Sequence, residues 1–278
     1  MRNTISKFAL TAALVLAITF TLSCSLSDEN GDGGGSSSSY GGGDLLSSSS
    51  NGVGGNPSSS SVGGGNPSSS SVGGCPVSAV SENSVTCGGQ TYRTVRIGEQ
   101  VWFAENLNYA VEGSRCYNDD PANCVKYGRL YNWSTAMALP SNCNSSLCSS
   151  QIQTKHQGVC PAGWHIPSDA EWSTLLAAVG GSGTAGTKLK AASEWNDDYY
   201  GASGNGTDDY EFSALPGGFG NSGGNLVNVG DDGRWWSASE TAGWSNHAYY
   251  RGMGNYRGDT YREDYDKSLL FSVRCVKD

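Results

Sequence analysis

The chain has 278 residues, a formal net charge of −9, forty glycines and nine cysteines. That acidity excludes nucleic acid and anionic lipid surfaces as partners, because both select basic patches. All eight tryptophans lie at or beyond Trp102, whereas the first seventy-odd residues are largely Gly, Ser and Asn, which confines the globular part to roughly the last 200 residues.

Residues 1–23 carry Arg2 and Lys7, an apolar run from Phe8 to Leu22, and Ser23 before Cys24. Threonines interrupt the run and no stop-transfer flank follows, which predicts a signal peptide rather than a membrane span. The small residue before cysteine resembles the cleavage box of bacterial lipoproteins, and this implies a lipid-modified Cys24 as the mature N-terminus. The alternative is a plain secreted chain with a free Cys24. Cleavage at Cys24 leaves eight cysteines, a number that can pair completely. Ser25 stands where an aspartate would retain a lipoprotein at the inner membrane. By resemblance to lipoprotein sorting this implies an outer-membrane location, with Asp28-Glu29 pointing to the cell surface and the membrane touched only through the lipid.

Residues 24–74 read as a disordered, Ser/Gly-rich linker, in which Gly55-Asn56-Pro57 and four serines recur ten residues later as Gly65-Asn66-Pro67 and four more. Such a segment buries too little apolar surface to offset its ordering entropy; as a coil it spans about 40 Å.

Residues 75–278 form the folded domain. Cys75 and Cys87 flank a short segment and form the first pair. A hairpin follows, with arms at 92–97 and 100–103 about Gly98-Glu99, both rich in β-branched and aromatic residues. Two tight cysteine loops come next, Cys116 with Cys124 and Cys143 with Cys148, separated by a short helix around 134–139. By elimination Cys160 pairs with Cys275. The strongest helix start is Ser168-Asp169-Ala170-Glu171, an S-x-x-E capping box in which each side chain satisfies a backbone N–H left unpaired by the first turn. Trp172, Leu175, Leu176 and Val179 then form an apolar stripe until Gly180-Gly181 stops the helix. A second short helix is expected at 187–192. Strands are expected at 234–239, 247–253 and 269–276, with an irregular segment from Trp236 to Leu269 anchored at both ends. This order is α+β, with antiparallel strands, one main helix and disulfide staples after a disordered linker.

Five ordered motifs carry a resemblance: Gly128-Arg129-Leu130-Tyr131-Asn132-Trp133, Cys160-Pro161-Ala162-Gly163-Trp164-His165-Ile166-Pro167, Phe212-Ser213-Ala214-Leu215-Pro216-Gly217-Gly218, Trp235-Trp236-Ser237-Ala238-Ser239 and Ser272-Val273-Arg274-Cys275-Val276. Together they resemble the major paralogous domain of Fibrobacter succinogenes, from about Gln90 to the C-terminus. That family consists of exported, often lipid-anchored bacterial proteins, and the resemblance implies an address and a fold rather than an activity. More distantly, the segment from Trp164 to Trp172 resembles the R-L-P-T-E-A-E-W stretch of the formylglycine-generating, sulfatase-modifying fold, a relative of C-type lectin domains. The pairing of Cys160 with Cys275 is similar to the lectin-like framework, and the expected fold is therefore lectin-like.

No catalytic or metal constellation emerges. His156, His165 and His247 lack a second ligand at i+3 or i+4. Glu171 is explained by its capping box, and cysteines at these spacings are structural in an exported chain. Trp195-Asn196-Asp197 spells the W-N-D of calcium-dependent lectins but lacks the partner motif. Asp197, Asp198, Asp208, Asp209, Asp231 and Asp232 nevertheless offer the oxygen ligands that a calcium ion takes. The aromatic residues between the last strands carry the functional reading. Trp244, Tyr250, Tyr256, Arg257, Tyr261 and Arg262 are expected to form a shallow surface on loops, with rings supplying affinity and arginines orientation. The expected function is a surface-displayed binding module for carbohydrate or another surface polymer. An enzyme on a sulfatase-modifying-like fold and a structural envelope or adhesion protein are the alternatives.

Overall fold

The computed structural model describes residues 73–278; the expected signal peptide, Cys24 and all but the last two residues of the linker lie outside them. Strands β1 (Val77–Val80), β2 (Ser84–Cys87), β3 (Gln90–Ile97) and β4 (Gln100–Phe103) form a meander. Helix α1 (Pro121–Tyr127), β5 (Leu130–Tyr131) and helix α2 (Trp133–Ala136) follow, then β6 (Trp164–His165) leads into α3 (Asp169–Ala178) and α4 (Ser182–Leu189). The last third contributes β7 (Gly217–Gly220), β8 (Leu226–Val229), β9 (Asp232–Glu240), β10 (His247–Gly254) and β11 (Tyr261–Asp266). Two short strands end the chain, β12 (Phe271–Ser272) and β13 (Val276–Lys277).

These strands form two sheets, mostly antiparallel. One is ordered β1-β2-β3-β4-β13-β6; the other runs β11-β10-β9-β12-β5, with the β7–β8 hairpin joined to β9. Successive side chains on a strand point to opposite faces, so neighbouring tryptophans on β9 serve different cores. Trp236 packs with Tyr131, Trp133, Tyr250 and Phe271, whereas Trp235 packs with Trp102, Trp172 and Phe212.

Four disulfides join the pairs expected from the spacing: Cys75–Cys87, Cys116–Cys124, Cys143–Cys148 and Cys160–Cys275. The capping box forms as expected, with Glu171 N–H donating to Ser168 Oγ at 3.2 Å and Ser168 N–H to Glu171 Oε2 at 2.8 Å. Glu171 does more than cap. Its Oε1 lies 2.7 Å from His165 Nε2, and the other ring nitrogen lies 2.6 Å from Asp278 Oδ1, which ties the helix start to the end of the chain.

Four sequence expectations shift. The helix expected at 187–192 runs Ser182–Leu189 instead, because Lys190 turns into an extended conformation. The helix expected at 134–139 stops at Ala136, with Ala138 at φ 52°. The strand expected at 269–276 divides into β12 and β13, one in each sheet, and Val273–Cys275 carries the chain across. The segment expected to be irregular contains β11, paired with β10 from Gly252–Tyr261 to His247–Asp266.

Candidate functional site

At the C-terminal end of α4 the buried Lys190 gathers two loops. Its Nζ donates to the carbonyls of Gly204 at 2.6 Å, Gly254 at 3.0 Å and Arg257 at 3.1 Å. Three acceptors match the three donors of an ammonium. Burial pulls the Lys190 pKa below the ordinary lysine value, against the pull of Asp259.

The loop at 195–206 is fixed at further points. Trp195 is buried and donates from Nε1 to Ala214 O at 2.9 Å, and its backbone N–H donates to Asn205 Oδ1 at 3.0 Å. Asp198 Oδ1 accepts from the backbone of Tyr200 and of Ala202, each at 2.8 Å. Asn255 Nδ2 bridges to Asp197 O at 3.0 Å and Asp231 Oδ1 at 3.1 Å. At Gly206 a Cβ would sit 2.2 Å from Lys190 O, so only glycine lets the loop close over the lysine.

On this frame Tyr199 is 94% exposed, Tyr200 90% and Tyr256 66%. Tyr199, Tyr256, Asn228, Asn255, Asp231 and Asp232 surround a hollow of about 320 Å³. A second hollow of about 280 Å³, lined by Lys190, Asp198, Asn205 and Arg257, shares Asn255 and Tyr256 with the first. Tyr256 is therefore a wall common to both. Amides, carboxylates and exposed phenol rings meet here on a tied backbone, an arrangement that presents amphipathic faces beside polar groups.

A second aromatic patch lies at the other end of β10. Trp244, 65% exposed, stacks on His247 with centroids 5.8 Å apart, and His247 lies parallel to Tyr265 at 6.1 Å. His247 Nδ1 is 2.9 Å from Asp264 Oδ2. Midway along the strand the Arg262 guanidinium sits 3.8 Å over the Tyr249 ring, and its Nε donates to Asp169 Oδ1 at 2.9 Å. The eight residues of β10 separate the two patches by about 24 Å of strand.

The six residues expected to form one surface are thus distributed. Trp244, Tyr256, Arg257 and Arg262 reach solvent along the outer hairpin, with Arg257 paired to Asp259 at 2.5 Å. Tyr250 does not belong to the surface: it is 1% exposed, packs on Trp236 and Phe271, and donates to Glu263 Oε2 at 2.7 Å. Tyr261 packs against the same core and donates to Asp232 Oδ1 at 2.7 Å. Burial pushes both phenols well above their ordinary pKa. Tyr250, held inside the core, offers no face to a ligand, whereas Tyr261 is only partly buried against it. Tyr199, Tyr200, Asn228 and Asn255 were not foreseen, although the doublet Tyr199-Tyr200 among turn-forming residues is a visible signal.

Four of the six aspartates considered for calcium, Asp198, Asp208, Asp231 and Asp232, have side chains hydrogen-bonded within the domain. Asp231 accepts from Asn196 and Asn255, Asp232 pairs with Arg234, and Asp208 accepts from Ser213. Among the described residues no three His, Cys, Asp or Glu side chains converge as a metal site.

The five sequence motifs meet one another instead of the loops. Trp133 Nε1 donates to Ser237 O at 2.9 Å and Trp236 Nε1 to Tyr131 O at 2.8 Å. Trp235 Nε1 and Arg274 Nη2 share Asn106 Oδ1, each at 2.8 Å, and Arg274 also donates to the carbonyls of Phe212 and Ser213. Arg274 is fully buried with its guanidinium 4.2 Å over Phe212, and burial pulls its pKa down to about 9.

Fold and site together define a disulfide-stapled α+β domain whose recognisable residues build the core and whose loops carry exposed aromatics. Residues 95–277, more than half of the chain, match the family model described as the Fibrobacter succinogenes major domain, and the chain belongs to that family. No curated protein and no solved structure matches it.

Proposed function

We propose that the chain is a surface-displayed, lipid-anchored binding module that holds a carbohydrate polymer against the face built by loops 195–206 and 254–258. One observation carries this reading: Tyr199 and Tyr256 stand exposed beside Asn228, Asn255 and Asp231, with the exposed Tyr200 edge-on to Tyr199, on loops held by a buried lysine. Exposed rings on a fixed backbone lose little entropy on binding and suit the apolar faces of sugars, while neighbouring amides and carboxylates suit the hydroxyls. The second patch at Trp244 favours an extended polymer over a single sugar, since one strand presents rings at both ends.

Binding rather than catalysis is supported by the state of the charged groups at this face. Arg257 is paired with Asp259, Asp232 with Arg234, and Asp231 lies between two amide donors, so these groups are held in hydrogen bonds rather than left free to move a proton. We read the fold as lectin-like, on the strength of the Cys160–Cys275 bridge from the approach to α3 to the final strands. Cys24 would supply the anchor at the outer membrane, and the serine-rich linker the reach.

The experiment is a polysaccharide array probed with the full chain. Signals on extended polymers that vanish with Tyr256→Ala are expected; a folded chain that binds none of the polymers contradicts the reading.

A further inference from the structure

Arg129 differs from the other arginines that are partly or fully buried. Arg234 pairs with Asp232, Arg251 with Asp169 and Arg257 with Asp259, while Arg274 is sealed against Asn106 and two carbonyls. Arg129 is half-buried and forms no ion pair with any carboxylate among the described residues. Among the described residues its Nη1 reaches only the carbonyl and hydroxyl of Ser114, at 3.5 and 3.3 Å, the long end of hydrogen bonding. Among the described residues its Nε–H is buried with no partner, as is that of Arg251, whose other nitrogens are held by Asp169 and Ser173. A guanidinium has five donors, so most of its capacity is unused in a chain whose net charge is −9.

The same residue lines a hollow of about 300 Å³ that shares no residue with the aromatic face. Its remaining walls are largely apolar: Tyr109, Ala110, Pro121, Val125 and the Cys116–Cys124 bridge. The polar side chain beside them, Asn108, already donates its amide to Gln90 Oε1 at 2.9 Å. Val125 is 76% exposed, an apolar side chain left in water where it could cover a ligand. One unpaired cation within apolar walls is the complement of one anion on an apolar body.

We infer that this hollow is a binding site for a small carboxylate carried on a ring-sized, largely apolar body, with the carboxylate on Arg129 and the ring against Tyr109, Pro121 and Val125. The site is independent of the polymer-binding face and does not require it.

Benzoate titrated into the full chain by calorimetry tests the assignment, with galacturonate as a sugar-ring carboxylate and benzyl alcohol as a ring without the charge. Saturable binding of benzoate is expected, at least tenfold weaker in Arg129→Gln and in Val125→Glu, unchanged in Tyr256→Ala and absent for benzyl alcohol. Val125→Glu alters an exposed rim position and keeps the test readable if Arg129→Gln fails to fold. Preference for galacturonate would keep the Arg129 contact and overturn the apolar body. No saturable binding of either acid to the folded chain, or binding unaltered by both substitutions, overturns the site.

Discussion

Lys190 donates from its buried ammonium to the carbonyl of Gly204 at 2.6 Å, across fourteen residues of chain, and the same nitrogen reaches Gly254 in the turn that carries Tyr256. One side chain therefore sets the position of both aromatic loops relative to α4. Lys190→Met keeps the aliphatic stem but leaves buried carbonyls without donors, at a cost of about 3 kcal/mol. Chemical denaturation should register that loss. Hydrogen exchange should accelerate in residues 195–206 and 254–258 more than in β9; uniform acceleration across the domain would show that Lys190 supports the whole fold rather than these loops.

His165 predicts a pH dependence. Burial opposes its charged form, but the hydrogen bonds it donates to Glu171 and Asp278 outweigh burial and hold its pKa above the ordinary 6.5. Its contribution to stability is then complete below pH 6.5 and lost as pH rises through the folded value. For Glu171, burial raises the pKa but the hydrogen bonds from His165 and Ser168 prevail and hold it below 4.5, so its contribution is present above pH 4.5 and lost as pH falls through the folded value. The pair stabilises most between these limits. Denaturant midpoints measured at pH 5.5 and well above the histidine range should differ more for the wild type than for His165→Gln; equal differences would remove the pair from the account.

The bridge between Cys160 and Cys275 closes 115 residues, against 5 for Cys143 and Cys148. Loop-closure entropy assigns about 4–5 kcal/mol to the first and about 2 kcal/mol to the second. Paired alanine substitution at each bridge should lower the thermal midpoint in that order. Peptide mapping without reduction should return Cys160 linked to Cys275; Cys160 linked to Cys143 or Cys148 would contradict the topology.

The proposed lipid anchor is read from Ser23-Cys24 after an apolar run. Cys24→Ala should move the protein from the envelope to the soluble fraction, and protease added to intact cells should cleave the wild type. Unchanged fractionation of the variant would contradict lipidation.

The interlocked motifs explain which parts of this molecule were legible in its sequence. The start of α3 was readable because Ser168 and Glu171 encode a local hydrogen-bond pattern, and the disulfides because tight spacing leaves few partners. Trp133, Trp235, Trp236 and Arg274 stood out as motif residues, and all four are buried, so they marked the core rather than the site. β11 was hidden because Tyr261-Arg262-Glu263-Asp264-Tyr265-Asp266 is polar along an edge strand and shows no apolar alternation. Composition could not sort the tyrosines. Tyr250 and Tyr256 stand in the same glycine-rich context, yet strand pairing turns one into the core and a turn leaves the other in water. The site loops depend on Lys190, whose three acceptors come from two segments about fifty residues apart, Gly204 in one and Gly254 and Arg257 in the other.

The central claim is that exposed tyrosines on the Lys190-held loops bind a polymer. Retention of the full chain on insoluble cellulose, xylan and pectin, compared between the wild type and the Tyr199→Ala/Tyr256→Ala double variant, tests it most directly. Both positions are exposed, so the double variant should keep the wild-type thermal midpoint. At least one polymer should retain the wild type, and the double variant should bind it at least tenfold more weakly, a loss of about 1.4 kcal/mol. Equal retention of the wild type and the folded double variant on every polymer that binds would contradict the claim.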